Sequence, residues 1–405
     1  MWVTEDLISN VHFIDYRGKT PPKVENGVKL ITAKNVKMGY VQEHPEEYID
    51  ANIFDEWMTR GFPQEGDVLF TTEAPLGNVA QLGRYEKVAV GQRLITMQPN
   101  EQVLDKTFLK YLLLSPQTQE KIHAQATGAT VLGIKSKLLK KIPISYPPLE
   151  EQKRIVGLLD EAFEGIDQAI KNTEQNLQNA RDLFASYLNN IFTQKGEGWR
   201  CGPLSKIGAD IKTGPFGSLL HKSDYVENGI PLINPAHINE GQITPDMRKT
   251  VNQEALGRLR SYQVKINDVV IGRRGEMGRC APVTEKEDGW LCGTGSFIIS
   301  PKFENVAQFL SLLLSSNYYK EKITELASGA TMLNLSNKAL GSLEVALPSS
   351  EEQKEILNHI NKVTIDQHKL NSIYSKKLTA LKELKQSLLQ KAFAGELTAR
   401  DREVA

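Results

Sequence analysis

The chain has 405 residues, a hydrophobic share of 40%, a charged share of 24% and a formal net charge of zero. That length exceeds one ordinary core and points to two or more domains of globular composition, with no apolar run long enough to span a membrane. Neutrality excludes a uniformly basic nucleic-acid binder, so any cationic surface must be a local patch.

In chain order, short strands come first. LITAKNVKMGYV (Leu30–Val41), EGDVLF (Glu65–Phe70) and VGQRLITMQP (Val90–Pro99) are apolar or alternating runs punctuated by Gly, Pro and Asn. FLKYLLLSPQTQEKI (Phe108–Ile122) then reads as a helix, and the hexapeptide TGATVL (Thr127–Leu132) follows it. After the stop YPPL, EEQK (Glu150–Lys153) opens a long stretch without proline. Along it, apolar or small residues recur at Leu159, Ile166, Ile170, Thr173, Leu177, Ala180, Phe184, Tyr187 and Ile191. From Ile166 onward that spacing alternates fours and threes, a heptad seam.

The same order then returns. LINPAHINEGQI (Leu232–Ile243), INDVVI (Ile266–Ile271) and CGTGSFIISP (Cys292–Pro301) repeat the strand pattern. FLSLLLSSNYYKEKI (Phe309–Ile323), SGATML (Ser328–Leu333) and EEQK (Glu351–Lys354) repeat the helix, the hexapeptide and the opening of the long stretch. An ungapped alignment of 108–160 on 309–361 leaves 21 of 53 positions identical, at an offset of 201. A repeat of that size is a duplicated domain, not a solenoid unit. The second seam runs Ile360, Val363, Gln367, Leu370, Tyr374, Leu381, Leu384, Leu388. Each seam covers about 43 residues, a helix of roughly 65 Å, and two such helices most simply pack antiparallel. The expected fold is therefore α+β: two similar globular α/β units separated by two long antiparallel coiled-coil helices, with a pseudo-two-fold internal repeat. The boundaries expected are 1–148 and 195–348 for the units, and 149–194 and 349–397 for the helices.

Motifs for catalysis are missing. There is no phosphate-binding GxxxxGK[ST], no HExxH and no GxSxG. INPA (Ile233–Ala236) and SYPP (Ser145–Pro148) only partly match the NPPY-type motif of adenine methyltransferases. Cys201, Cys280 and Cys292 lack metal spacing and read as reduced thiols of a cytosolic protein. No catalytic residue, metal or cofactor is expected.

The remaining signal is recognition by loops rich in small polar and basic residues. The first half offers Arg17, Lys19, Thr20, Lys34, Asn35, Thr72, Asn78, Gln92 and Arg93. The second offers Lys212, Thr213, Ser218, His221, Lys222, Asn234, Arg273, Arg274, Arg279 and Thr294. Arg and Lys pair with guanine O6/N7 and Asn and Gln with adenine N6/N7, while small hydroxyls hold phosphates. A two-headed protein-binding adaptor is the competing reading, and charge neutrality is its best support.

DYRGKTPP, TTEAPLGN, GPFGSLLHKSDY, the paired GAT-x-L motifs and the two P-x-x-EEQK-x-I helix starts resemble the specificity subunit of type I restriction–modification systems. The likeness runs from Trp2 to about Ala399 and covers order and spacing as well as short motifs. It implies two target recognition domains, each reading one half of a split site in double-stranded DNA, with the candidate residues above as contacts. It further implies a cytoplasmic, non-catalytic chain whose helices set the gap between half-sites and dock two methylation subunits, joined by restriction/translocation subunits. The first helix region, with 4 basic and 8 acidic residues over 149–194, fits a partner-docking face better than a phosphate-facing one.

Overall fold

The computed structural model describes residues 2–16, 21–194, 196–239, 241–302, 306–329 and 333–397. The chain folds as two compact units, residues 1–174 with 375–405 and residues 175–374. Each unit combines one globular α/β body with portions of two long helices, Leu149–Thr193 and Ser350–Phe393. The protein is thus α+β, with an internal repeat and two long helices.

In the first unit a four-stranded antiparallel sheet has the order Val11–Asp15, Leu94–Pro99, Val68–Thr72, Leu76–Gln81. Beside it Val28–Ile31 pairs in parallel with Val88–Val90. The second unit repeats this topology. Its sheet has the order Ala209–Thr213, Ser296–Pro301, Val269–Gly272, Cys280–Pro282, and Leu232–Ile233 runs parallel to Leu291–Cys292. The central strands Val68–Thr72 and Val269–Gly272 are rich in β-branched residues and buried on both faces.

The run expected as one strand, Val90–Pro99, is cut by a turn at Gly91–Arg93, where Arg93 takes φ +68°. The run expected as one helix, Phe108–Ile122, is two: Lys106–Leu114 and Pro116–Ala124. Ser115 stands between them at ψ 142°, because a residue before proline avoids the helical region. Pro116 then occupies the first turn of the next helix, where no donor is needed. Ser316 makes the same break between Ala307–Ser315 and Asn317–Leu326.

The EEQK motif has an architectural use in both copies. Gln152 is fully buried; its Oε1 accepts from Asp105 N at 2.9 Å, and its Nε2 donates to Val103 O and Pro147 O, each at 2.8 Å. Gln353, also buried, accepts from Val306 N at 2.8 Å and donates to Pro348 O at 3.0 Å. Each glutamine therefore ties the start of a long helix to the loop leading into the preceding helix pair. Gln152→Leu strands buried backbone groups and is expected to cost about 2–4 kcal/mol. A lower urea midpoint at unchanged slope would show it. A shift under about 0.5 kcal/mol would mean that those groups reach water.

Within the first unit the two helices run in opposite directions. Phe393 meets Phe108, beside the first turns of the first helix, while Lys385, earlier in the second helix, reaches Asp167, further along the first, at 2.6 Å. Ile155, Leu159, Phe163 and Ile166 of the first helix and Leu389 and Ala392 of the second all enter one core. Tyr111 closes that core by donating its hydroxyl to Asp160 while meeting Phe163 edge-on. Among the described residues no helix is long and apolar enough to cross a membrane.

Candidate nucleic-acid interface

In the first unit the loops after three strands converge at one end of the main sheet. Thr72 donates from its backbone N–H to Arg93 O at 3.0 Å, so the strand Val68–Thr72 positions the turn Gly91–Arg93. Arg93 reaches across to Glu73, Nε to Oε1 3.0 Å. Ile134 N donates to Thr72 O at 2.9 Å, which brings Thr127–Gly133 to the same edge. One cleft is lined by Thr72, Glu73, Gln92, Arg93, Thr127 and Lys135. A neighbouring cleft, sharing Gln92 and Arg93, is lined by Thr32, Lys34, Glu47 and Ala74.

The candidate residues of this unit divide by burial. Lys34, Gln92 and Arg93 are exposed. Asn35 is fully buried instead, with Oδ1 accepting from Thr32 N at 3.0 Å and Nδ2 donating to Gln42 O and Pro45 O. Thr72 is buried, and Asn78, half-buried, donates to Val36 O at 2.9 Å. These three side chains face the fold and shape the loops that carry the exposed ones. Arg17, Lys19 and Thr20 lie outside the described residues. Lys34 and Lys23 share Glu47 (3.4 and 2.7 Å). Burial pushes that carboxyl up, but the two ammoniums outweigh it and hold Glu47 below the usual range.

The second unit builds the same corner with other side chains. Arg273 N donates to Gly295 O, and Leu335 N donates to Arg273 O, both at 2.8 Å. The Arg273 guanidinium lies over the Phe297 ring at 5.4 Å and reaches Asn334 Oδ1 at 3.3 Å. Thr213 stands in register with Phe297, and Lys212 is exposed one position earlier. Gly293 is forced by packing: a Cβ there would lie 2.2 Å from Asn234 Oδ1. Asn234, Arg273, Arg274 and Thr294 thereby come together at the sheet end. Arg279, half-buried, pairs with Glu276 at 2.6 Å. Ser218, His221 and Lys222 are exposed on an adjoining segment, anchored where Leu220 packs with Leu291.

Sequence reasoning passed over Glu73, Lys135 and Asn334. The repeat itself held the signal: Thr72 and Glu73 correspond to Arg273 and Arg274 and Gly133 to Asn334 at the offset of 201, while in the turn Gln92 and Arg93 correspond to Thr294 and Gly295 at 202. Among the described residues, no group of three or more His, Cys, Asp or Glu is placed to hold a metal ion.

Two copies of one α/β body, each presenting basic and amide side chains from matching loops, define a two-headed recognition protein. Residues 30–179 and 210–380 match the type I restriction modification DNA specificity domain. The chain belongs to that family and is a DNA sequence-recognition specificity subunit of the type I class. It is 25% identical over 337 residues to the type I restriction enzyme EcoBI specificity subunit of Escherichia coli, covering 78% of this chain and 70% of that one. It is 22% identical over 357 residues to the MjaVIII specificity subunit of Methanocaldococcus jannaschii, covering 83% and 80%. Its fold matches a chain from a structure addressing assembly and conformational transition of a type I R-M system, with TM-score 0.76, 21% identity and 98% of each chain covered. It also matches the HsdS subunit from Thermoanaerobacter tengcongensis, with TM-score 0.57, 19% identity and 98% and 97% covered.

Proposed function

We propose that each unit reads one half of a bipartite site in double-stranded DNA, and that the two long helices fix the gap between halves and dock two methylation subunits. Restriction/translocation subunits join that assembly, and this chain contributes recognition without catalysis. The observation that carries the reading is the pairing of identical topology with different loop chemistry. The same sheet corner holds Thr72, Glu73, Gln92 and Arg93 in one unit and Arg273, Arg274, Thr294 and Gly295 in the other. Two heads of one shape with unlike side chains suit two half-sites of unlike sequence. Exposed Lys34, Gln92, Arg93, Lys212, Ser218, His221, Lys222 and Arg274 are the proposed contacts, with half-buried Thr294, Arg273 and Arg279 beside them. Asn35, Thr72, Asn78, Thr213 and Asn234 hold the loops. A linked pair of weak readers gains affinity only when both engage, which makes the spacing part of the signal.

Single-molecule methylation mapping tests this, in a methylation-free host expressing type I methylation subunits with and without this chain. The expected result is a new split motif with modified bases on both strands, present only with the chain. No new motif from an assembled complex would overturn the reading. Inserting four residues into both helices adds about 6 Å, close to two base pairs at ~3.4 Å each. The gap in the mapped motif is expected to widen accordingly, and an unchanged gap would remove the helices as the ruler.

A further inference from the structure

The repeated hexapeptide has a local geometry that its sequence leaves unexplained. Thr127 and Gly133 exchange backbone hydrogen bonds at 2.8 and 3.0 Å, closing a small hairpin. Gly128 takes φ +124°, and a Cβ there would lie 2.1 Å from Val131 O, so the turn requires glycine. Residues 127–132 are all exposed, Val131 at 51% and Leu132 at 56%. The fold therefore accounts for the glycine and for nothing else in the hexapeptide. In the second unit Ser328 and Asn334 exchange the same pair of bonds at 3.1 and 2.8 Å, and Gly329 takes φ +131°.

Beside this hairpin, every position that faces the cleft differs between units. Thr72, Glu73, Arg93 and Gly133 stand against Arg273, Arg274, Gly295 and Asn334, while TGATVL stands against SGATML. Val131 lines the same cleft as Glu73 and Arg93. Side chains kept alike in two heads with unlike readers suit a feature that both half-sites share. Duplex DNA offers only its sugar–phosphate backbone in that role, and contacts there position a protein without carrying sequence. Aliphatic side chains match the deoxyribose carbons and not the phosphates.

We propose that the Thr127–Gly133 hairpin is a sequence-independent clip on DNA, its Val131 and Leu132 side chains packing on deoxyriboses next to the bases that Glu73 and Arg93 face. This rests on the cleft being the DNA face. An apolar clip has a signature that a cationic one lacks. It releases no counterion, so its loss lowers affinity without changing the salt dependence.

The test uses the chain assembled with its methylation subunits and two labelled duplexes, one with the mapped site and one with the first half-site scrambled. Fluorescence anisotropy is read from about 50 to about 200 mM salt. The double variant V131S/L132S is expected to lose about tenfold in affinity on both duplexes, with the ratio between them and the salt slope unchanged. Val131→Met, which installs the residue at the matching position of the second copy, is expected to bind as wild type. Arg93→Gln reports on the cleft by flattening the slope by about 1. Wild-type binding by the double variant, loss on one duplex only, or loss accompanied by a lower melting temperature would each overturn the clip. If Arg93→Gln also binds as wild type with an unchanged slope, the cleft itself falls as the DNA face.

Discussion

Phe108→Ala is expected to destabilise the first unit by about 3–5 kcal/mol, the loss typical of a buried aromatic truncated in a packed core. Phe108 has no solvent exposure and meets Phe393 edge-on, ring centroids 5.2 Å apart, with Trp2 at 6.4 Å. Phe309→Ala should cost the second unit a similar amount, because Phe309 is equally buried and meets Phe192 edge-on at 5.5 Å. Denaturant titration followed by circular dichroism measures both. A loss below about 1 kcal/mol would mean that neighbours collapse into the space and that the aromatic pair is not central to the core. Phe393→Ala should cost less than Phe108→Ala, since Phe393 is only half-buried.

The symmetry of these pairs shows where the sequence was legible and where it was not. Phe108 and Phe309 are separated by 201 residues, and so are Phe192 and Phe393. The duplication, the long helices and the break into two units were readable from that periodicity. The partners were not. A phenylalanine from the first copy's helix, Phe192, packs on Phe309 of the second copy, and Phe393 of the second copy packs on Phe108 of the first. Spacing along one chain cannot assign such exchanged neighbours, because both copies offer the same residue.

The heptad seams were informative for a similar length of chain and no further. Leu159 and Ile166 are buried as expected, yet Leu370 and Leu384 are exposed at 37% and 46%, while Phe163 and Phe192, outside the seam, are buried. A straight α-helix drifts by ~20° per heptad against a 3.5-residue repeat, so a strict seam rotates off a fixed interface. The helix portions buried on the globular bodies also use a wider stripe, as Ile155, Leu159, Phe163 and Ile166 show. Among the site residues, residue type alone could not separate Asn35, enclosed by the backbone it bonds, from Lys34 in the solvent beside it. That distinction belongs to loop geometry. Glu73 was overlooked because the candidates were drawn from basic, amide and small hydroxyl side chains, although its position in the repeat is that of Arg274.

Arg93→Glu is expected to weaken binding to duplex DNA by about 100-fold or more and to flatten its salt dependence by at least about 1 in slope. In the free protein Arg93 and Glu73 pair with side chains 48% and 44% exposed, a setting in which an ion pair contributes only about 0–1 kcal/mol. Arg93 can therefore leave Glu73 for a phosphate or a guanine edge at little cost. Its left-handed backbone, φ +68°, is a strained conformation for a side-chain-bearing residue and holds the guanidinium at the lip of the cleft. Glutamate at this position sets two carboxylates against a polyanion, and like-charge juxtaposition costs several kcal/mol. Glu73→Gln acts in the opposite direction. Freed from its pairing, Arg93 should tighten binding to duplexes of scrambled sequence a few-fold, while discrimination at one base pair relaxes if Glu73 accepts from a cytosine amino group. Competition anisotropy on the assembled complex reads both effects. Wild-type affinity for Arg93→Glu would remove this cleft from the DNA interface. Tighter binding by Glu73→Gln with unchanged discrimination would leave the glutamate as a partner that restrains Arg93 and reads no base, and the specificity of the first half-site would then rest on Gln92 and Arg93.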